Sequence, residues 1–280
     1  LSGALSELTE AQAVAVDWRD GPMFVLAGPG SGKTRVLTTR VAKLLADTPD
    51  RSFRVLALTF TNKAADEMSG RVTALAPEQE RRALIGTFHS FCMQMLQQHG
   101  SHIGISPDFA IYSLDVDRQE ILRDAIKEVG LSADDIRLLS TIDKLKSQLV
   151  QPEGSAQYFR DASDGARVER LYGAYEAALT KANALDFGSL IAQAHRLVTS
   201  FPGIAARYRK TYAYWMFDEF QDTTDGQYRL IRALAGNDFR NVFAVADDDQ
   251  IIYQWNGASY QQIQRFRADF SPQELQLPTN

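Results

Sequence analysis

Eight residues constrain this chain more than any others: Ala27-Gly-Pro-Gly-Ser-Gly-Lys-Thr34. An apolar run, Met23-Phe-Val-Leu26, precedes them and reads as a buried strand; Arg35 to Leu45 follows and reads as an amphipathic helix. Glycines at 28, 30 and 32 let the backbone curl so that successive N–H groups face one hollow. The helix start near Lys33 adds its positive dipole end. Lys33 can set a point charge on β/γ-phosphates, and the Thr34 hydroxyl can ligate Mg²⁺. The pattern is a P-loop, with Ala27 in place of its first glycine.

The remaining strand-like runs are Arg54 to Thr59, Ala83 to Thr87, Tyr212 to Phe217 and Asn241 to Ala246. Each ends in a polar or aromatic cluster. In an open parallel sheet those ends line the ligand crevice. Between about residues 100 and 210 the texture turns helical, with patterns at 117–129, 132–149, 166–182 and 186–199 and a loop at 161–165. That is far longer than a crossover between parallel strands needs. The expected fold is therefore α/β: a P-loop domain with a parallel sheet at 1–105 and 206–280, interrupted by an all-helical subdomain at 106–205.

At 280 residues with 45% hydrophobic and 23% charged content, the chain is ordinary globular material. A net charge of −5 argues against an overall basic nucleic-acid face, so such a role must rest on local residues. Cys92 is the single cysteine, which excludes an internal disulfide and fits a reducing, cytoplasmic setting. No apolar run is long enough to span a bilayer. The four histidines show no zinc-ligand spacing.

Asp218-Glu219, ending an apolar strand, is the natural partner of a P-loop. Asp218 would hold Mg²⁺ through water, and Glu219 would orient and deprotonate the attacking water. Gln250 ends another apolar strand, where a neutral amide could sense the γ-phosphate. Gln12 has two readings: a capping-box partner of Thr9, or an amide that brackets a purine edge. Tyr253 and Trp255 would share a face if extended and could stack unpaired bases, although their spacing alone favours core positions.

These signatures, together with Leu8-Thr-Glu-Ala-Gln12, Thr59-Phe-Thr-Asn-Lys-Ala-Ala65, Gly86-Thr-Phe-His-Ser-Phe91, Ala184-Leu-Asp-Phe187, Asp218-Glu-Phe-Gln-Asp222 and the stretch from Asp247 to Ala258, occur in order along nearly the whole chain. The sequence resembles superfamily 1 DNA helicases of the UvrD/Rep/PcrA group, in which alanine is common at the position of Ala27. The resemblance implies a RecA-like first motor domain carrying a helical insertion. It implies ATP and Mg²⁺ as ligands and 3′-to-5′ movement on single-stranded DNA, with unwinding at single-strand/duplex junctions; DNA repair, replication restart, plasmid replication and recombination all remain open as its pathway.

Residue by residue, the resemblance puts Gln12 and Arg35 on adenine, and Lys33 and Thr34 on phosphate and Mg²⁺. Gly28, Gly30, Ser31 and Gly32 complete the nucleotide set. Asp218 and Glu219 fall to catalysis and Gln250 to the γ-phosphate. Phe60, Asn62, Thr87, His89, Phe187, Tyr253 and Trp255 match positions lining the strand path.

The departures are Asn256 for an arginine that couples nucleotide state to the strand, Gly188-Ser189 for an acidic pair, and Ala246 for a glycine. Asn280 matches the start of a further signature. On this resemblance the chain is expected to be an N-terminal fragment with little activity, whose second motor domain and arginine finger belong to the same polypeptide. Two other classes are compatible with parts of the pattern: a P-loop ATPase with a non-nucleic-acid substrate, and a helicase-derived single-strand-binding or regulatory module.

Overall fold

The structure, a computed structural model, describes residues 1–48, 52–247 and 258–278. Gln250, Tyr253, Trp255, Asn256 and Asn280 lie outside the described residues. Contacts group the chain into two compact units: residues 1–90, 202–224 and 231–280, and residues 91–201 with 225–230.

The first unit is built on a six-stranded sheet. Its strands are β1 (Met23–Ala27), β2 (Arg54–Thr59), β3 (Ala83–Thr87), β6 (Tyr212–Phe217), β7 (Val242–Ala246) and β8 (Gln273–Leu277). They lie in the order β3-β2-β6-β7-β1-β8, and every pairing is parallel. Continuous apolar strands such as Met23 to Ala27 and Val242 to Ala246 suit a sheet buried on both faces.

One face packs Val25, Val55, Ala57, Met216 and Val245 against helices α2 (Glu10–Asp17), α3 (Lys33–Ala46) and α4 (Asn62–Leu75). Alternate side chains point the other way, where Phe24 meets Phe220 and Phe266 at ring separations of 6.2 and 5.7 Å. Phe266 belongs to α12 (Ala258–Phe270). Because all strands run in one direction, the loops after β1, β2, β3, β6 and β7 leave from the same edge of the sheet.

Arg40 of α3 is 2% exposed. Its guanidinium reaches the carbonyl oxygens of Ala15, Val16, Trp18 and Arg19 at the end of α2 and lies over the Phe243 ring. Burial pushes its pKa down to about 9, still well above neutrality, so it stays a cation that caps α2.

The second unit packs α6 (Asp115–Glu128), α7 (Leu139–Ser147) and α8 (Ala162–Lys181) around Leu122, Ile126, Ile142, Leu145, Leu171 and Tyr175. Helix α9 (Phe187–Ser200) runs beside α7. A two-residue parallel pair, β4 (Ala110–Ile111) with β5 (Ala184–Leu185), leads into α9.

Three local expectations are corrected. Residues 132–149 are not one helix: a 3₁₀ segment, Ala133–Leu138, precedes α7. The stretch 161–165 is not a loop, because Asp161 accepts from the Asp164 N–H at 2.9 Å and starts α8 at Ala162. Strand β8 was missed, because Gln273-Glu-Leu-Gln-Leu277 is an edge strand with polar side chains exposed.

Candidate functional site

The glycine-rich turn leaves β1 and enters α3. Gly30 and Gly32 sit at φ +76° and +86°, in the left-handed region that favours glycine. Gly28 does not. Ala27 is an ordinary strand residue, registered with Leu277, so the missing glycine costs the turn nothing. Ser31 is buried and closes the loop by donating from Oγ to the Gly28 carbonyl at 2.6 Å. Lys33 and Thr34 occupy the first turn of α3, with backbone N–H groups unused by the helix at that end.

Gln12 performs the capping role read from the sequence, and more. Its Oε1 accepts from the Thr9 N–H at 3.1 Å, its N–H donates to Thr9 Oγ1, and its Nε2 donates to the Ser31 carbonyl at 2.8 Å. The amide is thereby locked against the phosphate loop. One Nε2 proton and one Oε1 lone pair are left over from these bonds. A Cβ on Gly32 would lie 2.6 Å from Gln12 Nε2. Arg35, one residue beyond Thr34, forms an ion pair with Glu7.

Beyond β6 and β7 the chain places carboxylates around Lys33. Lys33 Nζ donates to Asp247 Oδ2 at 2.5 Å and lies 3.9 Å from Glu219 Oε2. Asp218 is 5% exposed, and its carboxyl oxygen accepts from the Glu219 N–H at 3.0 Å. Burial pushes its pKa up to about 6; the neighbouring Glu219 charge adds to that, and Lys33 opposes it. Asp222 is raised for the same reasons, with Asp247 contributing.

Glu219 itself takes φ +45°, a left-handed conformation unusual for a residue with a side chain. It ends the strand and turns its carboxylate toward Lys33. Gln221, 3% exposed, fixes it there: its Nε2 donates to Glu219 Oε2 at 2.7 Å, and its Oε1 accepts from the Asp247 N–H at 3.0 Å. Sequence reasoning quoted Gln221 and Asp247 within signatures but gave them no role. Their positions beside an acidic strand end were the available signal; the Gln221–Glu219 bond is local, but Asp247 meets Gln221 and Lys33 across 26 and 214 positions.

The carboxylates around one lysine carry excess negative charge, which a divalent cation would offset. Among the described residues no group of three or more His, Cys, Asp or Glu forms a cage for a metal ion. Mg²⁺ needs no such cage: it binds through one or two protein oxygens and completes its shell with phosphate and water. Thr34 and Asp218 are the oxygen donors expected from the sequence for that role.

The residues expected on a nucleic-acid path differ in exposure. Phe60, after β2, is half-buried, its ring 6.2 Å from that of Phe88. Asn62 is exposed at the start of α4. Thr87 is buried, and its hydroxyl accepts from the Ser90 N–H at 3.2 Å, starting helix α5 (Phe88–His99). His89 is partly buried, and that burial holds its imidazole below the usual pKa. Phe187 begins α9 in the second unit, with 45% of its surface exposed.

Fold and site together define a P-loop α/β protein. The sequence matches the UvrD/REP helicase N-terminal domain over residues 8–271. The chain belongs to that family, and its sheet unit is RecA-like. It is 35% identical over 273 residues to the ATP-dependent DNA helicase PcrA of Staphylococcus epidermidis (strain ATCC 35984). It is 36% identical over 275 residues to the protein of the same name from Staphylococcus aureus (strain Mu50). Each alignment covers 96% of this chain but 37% of the relative, so the chain spans little more than a third of the length of these relatives. No helix among the described residues is long and apolar enough to cross a membrane.

Proposed function

We propose that this chain is the ATP-binding part of a DNA helicase that moves 3′-to-5′ on single-stranded DNA and opens duplex at single-strand/duplex junctions. The sheet unit is the motor domain, and the helical unit is its inserted subdomain. The reading rests above all on Lys33: its ammonium stands in one crevice with Asp247 and Glu219, at 2.5 and 3.9 Å. A nucleotide's terminal phosphates entering that crevice would take over the lysine.

In this reading the loop N–H groups and Lys33 cradle the phosphates, and Gln12 and Arg35 meet the adenine edge. Thr34 and Asp218 hold Mg²⁺, which when bound neutralises charge on the phosphate oxygens. Glu219 orients the attacking water and takes its proton. Gln250 senses the γ-phosphate. Gln221 keeps the Glu219 carboxylate aimed. Phe60, Asn62, Thr87, His89, Phe187, Tyr253 and Trp255 follow the DNA strand. A second motor domain supplies an arginine, a group worth roughly 10³–10⁵ in rate in other phosphoryl-transfer systems, so the 280-residue chain alone turns over slowly.

The test is binding of a fluorescent ATP analogue, with and without Mg²⁺ and oligothymidylate, by the protein and by Lys33→Ala. Binding that depends on Mg²⁺ and weakens at least about tenfold on losing the charge–phosphate contact is expected. Equal affinities for the two proteins would remove the lysine from its assigned role.

A further inference from the structure

Lys146, in the helical unit, is 1% exposed, and no role has yet been given to it. A buried lysine is rare unless each of its charges and donors is matched. This one is matched in full. Its Nζ donates to Asp186 Oδ2 at 2.7 Å and to Ser189 Oγ at 2.9 Å, and it forms an ion pair with Glu176. Three donors meet three acceptors. The Tyr175 ring lies 4.7 Å from the ammonium, and the Tyr175 hydroxyl donates to the same Asp186 oxygen at 2.9 Å.

The other Asp186 oxygen accepts from the Ser189 N–H at 2.8 Å and so caps α9. Burial alone would raise the Asp186 pKa, but the Lys146 charge and hydrogen bond, together with the bonds from the Ser189 N–H and the Tyr175 hydroxyl, hold it below the usual value. Glu176 goes the other way, its burial prevailing over the same lysine. Lys146 is the largest of the groups that keep the cap ionised.

The two residues after Phe187 are fitted to this lysine. A Cβ on Gly188 would lie 2.9 Å from Lys146 Cβ and Cδ, so a side chain there would displace the lysine stem. Ser189 offers the third acceptor without a further negative charge. Phe187 sits between the cap and this glycine, at the first position of the helix.

We propose that Lys146 is a positioning residue for single-strand binding: by clamping Asp186, Ser189 and Glu176 it fixes the first turn of α9 and with it the outward aim of the Phe187 ring. The inference rests on the reading of Phe187 as a platform for an unpaired base. Replacing Lys146 removes the nearer of the two cations at Asp186 and leaves only Arg118, at 3.8 Å, to offset the buried charge; the cap then loosens and the ring loses its fixed orientation.

The experiment is a double-mutant cycle on the affinity for fluorescein-labelled oligothymidylate, read by anisotropy. The proteins are the unsubstituted chain, Phe187→Ala, Lys146→Met and the double variant. Phe187→Ala is expected to weaken binding about tenfold, the size of one lost stacking contact. Lys146→Met should weaken it several-fold alone and add nothing in the Phe187→Ala background. A role confined to stability would lower the melting temperature without this non-additivity.

Ser189→Ala is the milder companion, to be used if Lys146→Met does not fold. It should weaken binding by about twofold, and only when Phe187 is present. If Phe187→Ala binds as tightly as the unsubstituted chain, the base-platform reading fails and the proposal with it. If Phe187→Ala is weakened but the Lys146 or Ser189 effect is absent, or persists in full without Phe187, the platform stands and the positioning role is overturned.

Discussion

Replacing Asp218 with asparagine should make the nucleotide-free protein more stable at neutral pH while abolishing hydrolysis. The carboxyl is 5% exposed and faces the Glu219 charge, and its pKa rises from 3.8 to about 6. A raised carboxylate pKa means that the folded state binds the proton more tightly than the unfolded chain. Its contribution is therefore a cost, absent below about pH 4, growing between about pH 4 and pH 6, and complete above that. The interval between 3.8 and about 6 corresponds to a ceiling of roughly 3 kcal/mol.

Asparagine keeps the oxygen that accepts from the Glu219 N–H. It adds an NH₂ group whose poor pairing takes back about 1 kcal/mol. The expected net gain is about 1–2 kcal/mol at about pH 8, most of it gone at about pH 4. Urea unfolding in EDTA at both pH values measures it. Saturating Mg²⁺ and ATP should reverse the order, because only the aspartate can hold the cation. A variant no more stable than the unsubstituted protein at about pH 8, or equally stabilised at both pH values, would refute the account of a desolvated carboxylate beside a like charge.

Gln221→Leu should lower the rate of ATP turnover by about tenfold or more while leaving nucleotide affinity within about twofold, because it frees the Glu219 carboxylate without touching the phosphate loop; steady-state kinetics with nucleotide titration separates the two. Gly32→Ala should destabilise the sheet unit by about 2–3 kcal/mol, from the positive φ and from driving Gln12 Nε2 off the Ser31 carbonyl. Adding Gln12→Ala should relieve the collision but not the torsion, so the double variant is expected to lose less than the sum; strict additivity in denaturant melts would refute it.

What could be read from the residues alone was local or periodic. The phosphate loop, the apolar strands β1, β2, β3, β6 and β7, and the Thr9–Gln12 cap each lie within a few neighbouring positions, and the structure carries them at those positions. The acidic pair Asp218-Glu219 was legible as a strand tip for the same reason. β8 was not, because an edge strand needs no continuous apolar run: its partner β1 supplies the pairing, and solvent accepts its polar side chains. The start of α8 was misread as loop because Asp161 and Gly165 resemble turn residues until the cap bond is seen.

Only the tertiary structure could decide which charges meet. Lys33 and Asp247 are 214 positions apart, and Lys146 and Asp186 are 40 apart. No spacing rule links such residues. They come together because parallel strands deliver their carboxyl ends to one edge, and because packed helices in the second unit enclose a charge that must find its counter-charge or not be buried at all. The sequence by itself determined the loop that can grip phosphate and the elements that carry it; the folded arrangement determined which side chains hold that loop's lysine, and which lysine meets the cap of α9.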